Sequence, residues 1–411
     1  MTRTGMTGRC GTGLPPAALR GENRMDERHL NRLYEDMEIL EGETLTPEER
    51  IRAATDPLTV WYRKNARALP WRESPTPYHV WISEIMLQQT RVAAVLGYYR
   101  RFLEALPDIP ALAAVEEEQL MKLWEGLGYY SRARNLKKAA AEAVERYGGR
   151  LPDSYEELLT LPGIGSYTAG AIASIAYGIA VPAVDGNVLR VTARLLADPE
   201  DIGKPAVKKK MERLLGQTMP ADKPGEFNQA LMELGAVVCV PNGRPHCQEC
   251  PIKGICLACR RGKTDRIPVK APKKKRKICP MTVFVVTCGN RFLITRRQEQ
   301  GLLAGLYEFP NTEGTLSGEE ALSYLGIRKE EKNAFSMEPL PPAKHIFTHV
   351  EWHMTGYHIA LSGSDSMEAE RRAGRLEKRT GGRFVTGREG AEMYAVPGAF
   401  QAYMQVAQSL V

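Results

Sequence analysis

The stretch of sequence that decides the fold is Leu161-Pro162-Gly163-Ile164-Gly165-Ser166-Tyr167-Thr168-Ala169. Its two glycines predict a tight turn between helices, which leaves backbone N–H groups free at a helix start to hold a phosphate. On the glycines alone, an ordinary corner between two helices is the better explanation. However, the motif Val184-Asp185-Gly186-Asn187-Val188 follows at close range. The pair of motifs is much more specific than either part.

The sequence around this stretch predicts a helical domain followed by a smaller α/β domain. From about residue 51 to 259, apolar residues recur at spacings of three and four, broken by short Pro/Gly turns. After residue 279 the pattern changes to β-rich runs at 282–287 and 291–295, which Gly289-Asn290 joins as in a hairpin. A second β-rich run, 345–361, follows what we interpret as a Pro-rich loop.

The composition is that of a globular protein. The 411 residues suffice for two or three domains, and 43% hydrophobic with 26% charged residues argue against wholesale disorder or a collagen-like structure. A net charge of +7 is compatible with nucleic acid as a partner but does not prove it. Residues 1–24 lack the apolar core of a signal peptide, and Pro and Gly break the longest uncharged stretch, so we expect no membrane contact.

The sequence divides into four regions. Residues 1–45 are predicted to be a disordered tail, with Met25 or Met37 as alternative starts, and 46–262 to be the helical domain. Residues 263–278 are predicted to be an exposed basic linker, because 260–277 contain ten basic residues and one acid. Residues 279–411 form the α/β domain. The basic run at 273–277 resembles a nuclear signal, although such runs are more commonly solvated or DNA-tracking segments.

Five of the eight cysteines lie between Cys239 and Cys259. This clustering indicates a metal site in a reducing compartment rather than disulfides. The spacing Cys239-x7-Cys247-x2-Cys250-x5-Cys256 can hold an iron–sulfur cluster or a zinc ion. Cys259 offers an alternative set of four ligands, because the last four of these five cysteines form two C-x2-C pairs. Spacing alone therefore leaves the metal open.

Two carboxylates lie in informative segments. Glu84 lies among apolar residues at helical spacing, where desolvation would raise its pKa and favour the protonated acid. A surface glutamate on an amphipathic helix is the ordinary alternative. Asp185 could simply cap the helix that begins at Gly186. Neither carboxylate is convincing when it is taken singly.

Together these segments resemble the endonuclease III superfamily and, more narrowly, the adenine DNA glycosylases of the MutY type. The resemblance spans residues 57–259 and rests on the hairpin, the cysteine loop and four further strings: Leu69-Pro70-Trp71-Arg72, 81–90, 126–136 and Phe227-Asn228-Gln229-Ala230-Leu231. It implies two helical subdomains with the active site between them, and a helix-hairpin-helix whose Gly163 and Gly165 contact the DNA backbone. It also implies a [4Fe–4S] cluster on four ligands, Cys239, Cys247, Cys250 and Cys256, although the first gap has seven residues instead of the family's six.

The resemblance implies specific roles for three residues. Glu84 is the acid that protonates the flipped adenine, and Asp185 stabilises the positive charge on the sugar after the base has left. One carboxyl group must be neutral and the other ionised, so we expect their surroundings to push their pKa values apart. Tyr167 stands where the lyase branch has its Schiff-base lysine. Because tyrosine cannot form an imine, we expect a monofunctional glycosylase.

Further residues are expected to contact the substrate. By the same resemblance, the adenine pocket is lined by Arg67, Leu69, Trp71 and Gln229. Gln89 and Tyr129 are expected to wedge into the stack around the opposite base, and Thr90 is expected to bind the substrate. The α/β domain resembles the Nudix-like module of MutY proteins but lacks the acidic Nudix box between 311 and 326, so we expect it to read DNA without pyrophosphatase activity. The loop that contacts 8-oxoguanine aligns with Phe347, Thr348 and His349, for which a plain β-strand is the alternative.

The predicted function is hydrolytic excision of adenine mispaired with 8-oxoguanine or guanine in double-stranded DNA. The protein is expected to act as a monomer in the bacterial cytoplasm at the nucleoid, or in the nucleus of a eukaryote. Three alternatives compete with this prediction. A thymine-glycol glycosylase/lyase is opposed by Tyr167, a non-catalytic DNA-binding regulator by Glu84 and Asp185, and a Nudix hydrolase by the missing box.

Overall fold

The structure is a computed structural model that describes residues 44–272, 275–327, 335–362 and 366–410. Most of the predicted tail, residues 1–43 with both alternative starts, lies outside these ranges. Lys273 and Lys274 of the basic run also lie outside them.

The first region is helical, as the apolar spacing predicts. The helices before the hairpin turn are α1 (Pro47–Asn65), α2 (Pro70–Glu73), α3 (Pro77–Leu87), α4 (Val92–Ala105), α5 (Ile109–Ala114), α6 (Glu117–Leu123), α7 (Ser131–Tyr147) and α8 (Tyr155–Leu158). Those after it are α9 (Ser166–Ala176), α10 (Gly186–Leu196), α11 (Pro205–Thr218), α12 (Pro224–Val237) and α13 (Leu257–Arg260). Side-chain caps fix several of the helix starts. Thr46 forms a capping box with Glu49, and Thr76 and Ser154 cap α3 and α8.

The helices pack around two separate apolar cores. One core contains buried residues of α3 to α9, including Trp81, Phe102 and Trp124. The other contains buried residues of α1 and α10 to α13, including Leu58 and Phe227. The two helical subdomains implied by the resemblance are therefore present, and α9 of one packs against α12 of the other.

The hairpin turn joins α8 to α9 and is held by close packing. Gly163 has a φ of +78°, and a Cβ there would lie 2.7 Å from the Cβ of Asn135. Only glycine fits both this conformation and this space. On α9, a Cβ at Gly170 would lie 2.3 Å from the carbonyl oxygen of Pro182. This contact lets the segment that leads to Asp185 pass directly over the helix.

The second region is a mixed sheet with helices. Its elements are β1 (Lys277–Cys288), β2 (Arg291–Arg296), β3 (Tyr307–Glu308), β4 (Asn311–Glu313), α14 (Gly318–Leu325), β5 (Phe335–Ile346), β6 (Val350–Leu361), α15 (Ser366–Thr380), β7 (Arg383–Thr386), α16 (Gly387–Glu392) and α17 (Gln401–Leu410). The main strand order is β3-β2-β1-β6-β5, with β1 and β6 parallel, and apolar clusters cover both faces. The predicted hairpin at Gly289-Asn290 is confirmed by the pairing of Thr287 with Phe292.

The predicted Pro-rich loop is wrong, because Pro339, Pro341 and Pro342 lie in strand β5. This strand forms one end of the main strand order, and its register with β6 shifts between Leu340 and Ala343. Proline lacks the N–H that a ladder needs, but an edge strand with a bulge tolerates it. The sequence signal for a loop was therefore a signal for an irregular edge strand.

The α/β domain packs against the helical domain around α6 and α7. Leu306 and Ala395 are buried in the core of the first helical subdomain. Polar contacts surround them: the Tyr307 hydroxyl donates to Glu118 at 2.9 Å, and Arg134 donates to the carbonyl of Ala304 at 2.6 Å. The first part of the predicted linker also packs on the helices, since Ile267 is buried and Arg194 donates to its carbonyl.

None of the helices in the described ranges is both long enough and apolar enough to cross a membrane.

Candidate active site and cysteine cavity

A cleft of about 920 Å³ opens between the two helical subdomains. Glu84 reaches it from α3 and Tyr167 from α9, both in the first subdomain. Asp185 reaches it from the start of α10 in the second subdomain. The cleft therefore brings together the three residues that the sequence predicts for catalysis.

Glu84 is only 7% exposed and lies among buried residues of α3. Burial raises its pKa from the ordinary value of 4.5 to about 7, against the lowering effect of a hydrogen bond from the Tyr167 hydroxyl. Nearby Asp185 adds to the rise, since a second negative charge disfavours ionisation of Glu84. Near neutral pH a large fraction of Glu84 therefore carries a proton.

Tyr167 donates a hydrogen bond to the carboxyl group of Glu84. Burial, followed by the charges of Glu84 and Asp185, raises the pKa of Tyr167 far above its ordinary value. Its phenol is therefore a neutral donor that fixes the orientation of the Glu84 side chain.

Asp185 is both a helix cap and a wall of the cleft. Its Oδ1 accepts from the backbone N–H groups of Asn187 and Val188 at 2.8 Å each, and its Oδ2 accepts from the Asn187 amide at 2.7 Å. Burial raises the pKa of Asp185, and these three donors oppose the rise. Capping the helix does not exclude a catalytic role for Asp185, because the N–H groups that it caps also favour its ionised form.

The predicted adenine-pocket residues all line the same cleft: Arg67, Leu69, Trp71 and Gln229. Trp71 is also part of the core, where its ring meets that of Tyr99 edge to face. The hydroxyl of Tyr62 donates to Gln229 at 2.9 Å and fixes its amide. Pocket and core roles of Trp71 therefore coexist.

Glu233 and Arg72 are site residues that sequence reasoning did not find. Glu233 is 1% exposed and accepts from Arg67 at 2.7 Å and from Arg72 at 2.8 Å. Burial opposes its ionisation, but the two guanidinium groups outweigh this and lower its pKa to about 2. The signal was present: Glu233 follows Gln229 by four residues, which places both on one face of a helix.

A hydrogen-bond chain joins Asp185 to the cysteine loop. The Asn187 amide bonds Asp185, and Arg190 donates to the Asn187 side-chain oxygen at 2.8 Å. Arg190 also donates to the carbonyls of Gly235 and Cys239, both at 2.7 Å. The position of the Asp185 carboxylate therefore depends on the backbone of the cysteine loop.

The residues predicted to meet the opposite base converge at one end of the cleft. Gln89 and Thr90 line it, and the Tyr129 hydroxyl donates to the Gln89 side-chain oxygen at 2.6 Å. The Tyr129 hydroxyl is also hydrogen-bonded to Thr348 at 2.7 Å. Thr348 thus brings the α/β domain to the helical residues expected to read the opposite base.

Thr348 lies in the turn between β5 and β6, so the plain-strand alternative is wrong for residues 347–349. Phe347 packs within the α/β domain, between the rings of His345 and Trp352 at centroid distances of 4.6 and 4.9 Å. His349 is exposed in the same turn. Of the three predicted contact residues, Thr348 is the one that touches the helical domain through a described hydrogen bond.

The hairpin end of α9 has no side-chain cap, and a cation lies near it. Gly165 caps the helix without a side-chain hydrogen bond. Ser166 accepts a hydrogen bond from Lys208 at 3.2 Å, and Lys208 also lines the cleft. Glu212 lies there as well: it accepts from the Ser166 hydroxyl at 2.8 Å and pairs with Lys208 at 3.5 Å, so a phosphate at this helix start would compete with its carboxylate for both groups.

The five clustered cysteines line one small cavity: Cys239, Cys247, Cys250, Cys256 and Cys259. Its other walls include apolar residues such as Leu234 and Ile252, and Arg194 donates to the Cys239 sulfur at 3.2 Å. Within the described ranges, no three His, Cys, Asp or Glu side chains are arranged around a single metal-ion position. A soft, all-sulfur donor set in an apolar cavity fits an iron–sulfur group. Cys239 and Cys259, the two candidates for the remaining ligand position, both line this cavity.

Family models match both parts of the chain. The model of the HhH-GPD superfamily of base excision DNA repair proteins matches residues 82–217, and that of the NUDIX domain matches 282–406. These matches define a base excision repair fold joined to a Nudix-like domain. The fold class predicted from the sequence is therefore confirmed.

Individual relatives narrow the class. The adenine DNA glycosylase of Mus musculus is 35% identical over 370 residues, which cover 76% of this chain and 71% of that protein. The adenine DNA glycosylase of Buchnera aphidicola subsp. Acyrthosiphon pisum is 35% identical over 303 residues, which cover 73% and 85%. A solved non-covalent endonuclease III–DNA complex is 26% identical, covers 53% of this chain and 99% of that one, and has a TM-score of 0.46. The chain belongs to the adenine DNA glycosylases, enzymes of base excision repair.

Proposed function

We propose that this enzyme removes adenine paired with 8-oxoguanine, or with guanine, from double-stranded DNA by hydrolysis alone. The observation that carries the proposal is the placement of Glu84 and Asp185 in one cleft, on opposing subdomains. The names of the relatives support adenine as the base that is removed.

Glu84 acts as the general acid. Adenine leaves poorly until a ring nitrogen is protonated, and a carboxyl group with a pKa of about 7 can donate that proton near neutral pH. Tyr167 holds the acid in place through its hydrogen bond. As the C–N bond breaks, its electron pair stays with the protonated base.

Asp185 stabilises the positive charge that develops on the sugar. Its three N–H donors favour a fixed carboxylate, which needs no reorganisation during the reaction. Water then adds to the sugar carbon and gives its proton to the Glu84 carboxylate, which restores the acid. Since the residue beside Glu84 is Tyr167 and not a lysine, this route does not include backbone cleavage.

The pocket binds the flipped base, and two groups of residues, one in each domain, bind the opposite strand of the duplex. Arg67, Leu69, Trp71 and Gln229 contact the flipped adenine, as their position in the cleft supports. Gln89, Thr90 and Tyr129 contact the opposite base together with Phe347, Thr348 and His349. Of this turn, Thr348 makes the contact that distinguishes 8-oxoguanine from guanine. Gly163 and Gly165 hold a DNA phosphate.

The proposed cofactor is a [4Fe–4S] cluster, held by Cys239, Cys247, Cys250 and Cys256. We also propose that the protein acts as a monomer, at the nucleoid of a bacterium or in the nucleus of a eukaryote. The cysteine cavity and the family membership support this cofactor. When bound, the cluster would cross-link the cysteine loop through its Fe–S bonds. The series of hydrogen bonds that runs from the Cys239 carbonyl through Arg190 and Asn187 would then fix the position of Asp185.

The test is a duplex panel with adenine opposite 8-oxoguanine, guanine or thymine, and one with thymine glycol. We expect strand scission at the adenine after alkali for the first two duplexes, fastest opposite 8-oxoguanine, and none without alkali. Scission without alkali, or only at thymine glycol, would instead support the glycosylase/lyase alternative.

A further inference from the structure

Arg132 on α7 is a buried arginine to which the proposed catalytic and reading roles assign no task. It is 8% exposed, and its guanidinium donates to a set of backbone carbonyl oxygens. These are the carbonyls of Ile85 (2.6 Å), Met86 (3.0 Å), Gln88 (2.8 Å), Leu127 (3.1 Å) and Gly128 (3.0 Å). A single cation therefore satisfies five main-chain acceptors.

The five acceptors belong to two separate segments. Ile85, Met86 and Gln88 lie at the C-terminal end of α3, where carbonyls have no partner within the helix and a cation is favoured. Leu127 and Gly128 lie in the loop before α7. The Arg132 side chain thus ties the end of the helix that carries Glu84 to a loop about 40 residues further along the chain.

The next residue of each segment has an unusual backbone conformation. Gln89 has a φ of +58° and Tyr129 a φ of +48°, a left-handed region that side chains other than glycine rarely adopt. Such conformations persist where the surroundings enforce them, and they concentrate at functional sites. The Arg132 guanidinium also lies 5.6 Å from the centre of the Tyr129 ring and 5.3 Å from that of Trp124.

We infer that Arg132 is a positioning residue that holds Gln89 and Tyr129 in the geometry needed to inspect the base opposite the adenine. The role in inspection rests on the proposed function, whereas the positioning itself does not. A lysine cannot replace this arginine, because one ammonium group lacks the planar fork that reaches both segments.

Hydrogen exchange of the free protein tests the positioning. In Arg132→Lys, the amides of 86–91 and 127–131 should both exchange at least about tenfold faster than in wild type, because local opening becomes easier. The control is Arg146→Lys on the same helix, where the arginine stacks on Tyr147 and bonds Thr160. It should leave both segments unchanged. Unchanged exchange in Arg132→Lys, or faster exchange in one segment only, would overturn the inference.

A second variant covers the case in which Arg132→Lys does not fold. Gln89→Gly added to it relieves the cost of the positive φ, because glycine adopts this conformation freely. The double variant should fold, and residues 127–131 should still exchange faster than in Gln89→Gly alone. Equal exchange in the two would contradict a role for Arg132 in holding that loop.

Single-turnover rates on A·8-oxoguanine and A·G duplexes test whether Arg132 contributes to inspection of the base opposite the adenine. Arg132→Lys should lower the ratio of the two rates about tenfold, since small displacements of positioned groups can cost up to about a hundredfold. Tyr129→Ala added to it should lower the ratio further by less than about threefold, because both changes act on the same contact. A purely structural role would lower the unfolding temperature and leave the ratio unchanged. If wild type itself prefers neither duplex, the proposed function fails, while the exchange result still decides the positioning role.

Discussion

The rate of adenine release should fall as the pH rises through about 7, because the reaction needs Glu84 in its protonated form. With that pKa, about nine-tenths of the carboxyl groups are protonated at pH 6 and about one-tenth at pH 8. The single-turnover rate should therefore fall about tenfold over this range. Glu84→Gln keeps the shape but removes the proton, and should lower the rate by about 10²- to 10⁴-fold while leaving duplex binding largely intact.

The same pKa predicts an effect on stability with a definite sign. Between pH 4.5 and about 7, the folded protein binds a proton at Glu84 that the unfolded chain has released. The free energy of unfolding therefore falls as the pH rises through this window. A shift from 4.5 to about 7 corresponds to about 3 kcal/mol. Glu84→Gln removes this cost, so its stability relative to wild type should be up to about 3 kcal/mol greater at pH 8 than at pH 4.5.

Both effects can be measured on the same preparations. Adenine release is followed by chromatography with enzyme in excess over an A·8-oxoguanine duplex, and stability by urea unfolding at each pH. Glu142→Gln, which changes a partly exposed glutamate paired with Arg146, is the control and should match wild type. A rate that stays level between pH 6 and pH 8, or a Glu84→Gln rate within a few-fold of wild type, would refute the reasoning.

Three other outcomes are expected. Purified protein should be brown and contain iron rather than zinc. The Cys247→Ala and Cys250→Ala variants should lose the iron, and Cys259→Ala should keep it. If Cys259→Ala loses the iron and Cys239→Ala keeps it, Cys259 replaces Cys239 in the ligand set. Borohydride should trap no appreciable crosslink between wild type and the A·8-oxoguanine duplex, because Tyr167 offers no amine; a crosslink that forms with wild type and is absent with Lys208→Ala would identify the lysine of the cleft as the nucleophile. Thr348→Ala should lower activity on A·8-oxoguanine about tenfold more than on A·G, whereas Thr348→Ser, which keeps the hydroxyl, should match wild type; an unchanged ratio of the two rates would place the choice of lesion wholly in the helical domain.

The sequence was sufficient to predict the helical and α/β regions, because apolar periodicity and turn residues report local structure directly. The β1–β2 hairpin shows this, since Gly289-Asn290 is a strong short-range signal. The three prolines at 339–342 predict a loop, and this prediction is wrong because their structure is not decided by local sequence. Whether three prolines form a loop or an edge strand depends on the neighbouring strand β6, and no local pattern contains that information.

For the site, motifs predicted which residues share the cleft but not what supports them. Glu84, Tyr167 and Asp185 lie in recognisable strings and do meet. Glu233 and Arg132 act through side-chain contacts that cross between segments far apart in the chain, which periodicity cannot reveal. A buried arginine also looks like an exposed one in a sequence, because only packing decides whether its donors meet water or carbonyls.

Asp185→Asn most directly tests the central claim that two opposed carboxylates perform the excision. Asparagine also caps helices well and can still accept from the N–H groups of Asn187 and Val188, so the fold should be retained. Iron content should therefore match wild type and the unfolding temperature should fall by only about 2–4 °C, because one acceptor of the Asn187 amide is lost, while single-turnover adenine release from an A·8-oxoguanine duplex should fall at least about a hundredfold. A folded, iron-loaded Asp185→Asn protein that releases adenine within a few-fold of the wild-type rate would contradict the account.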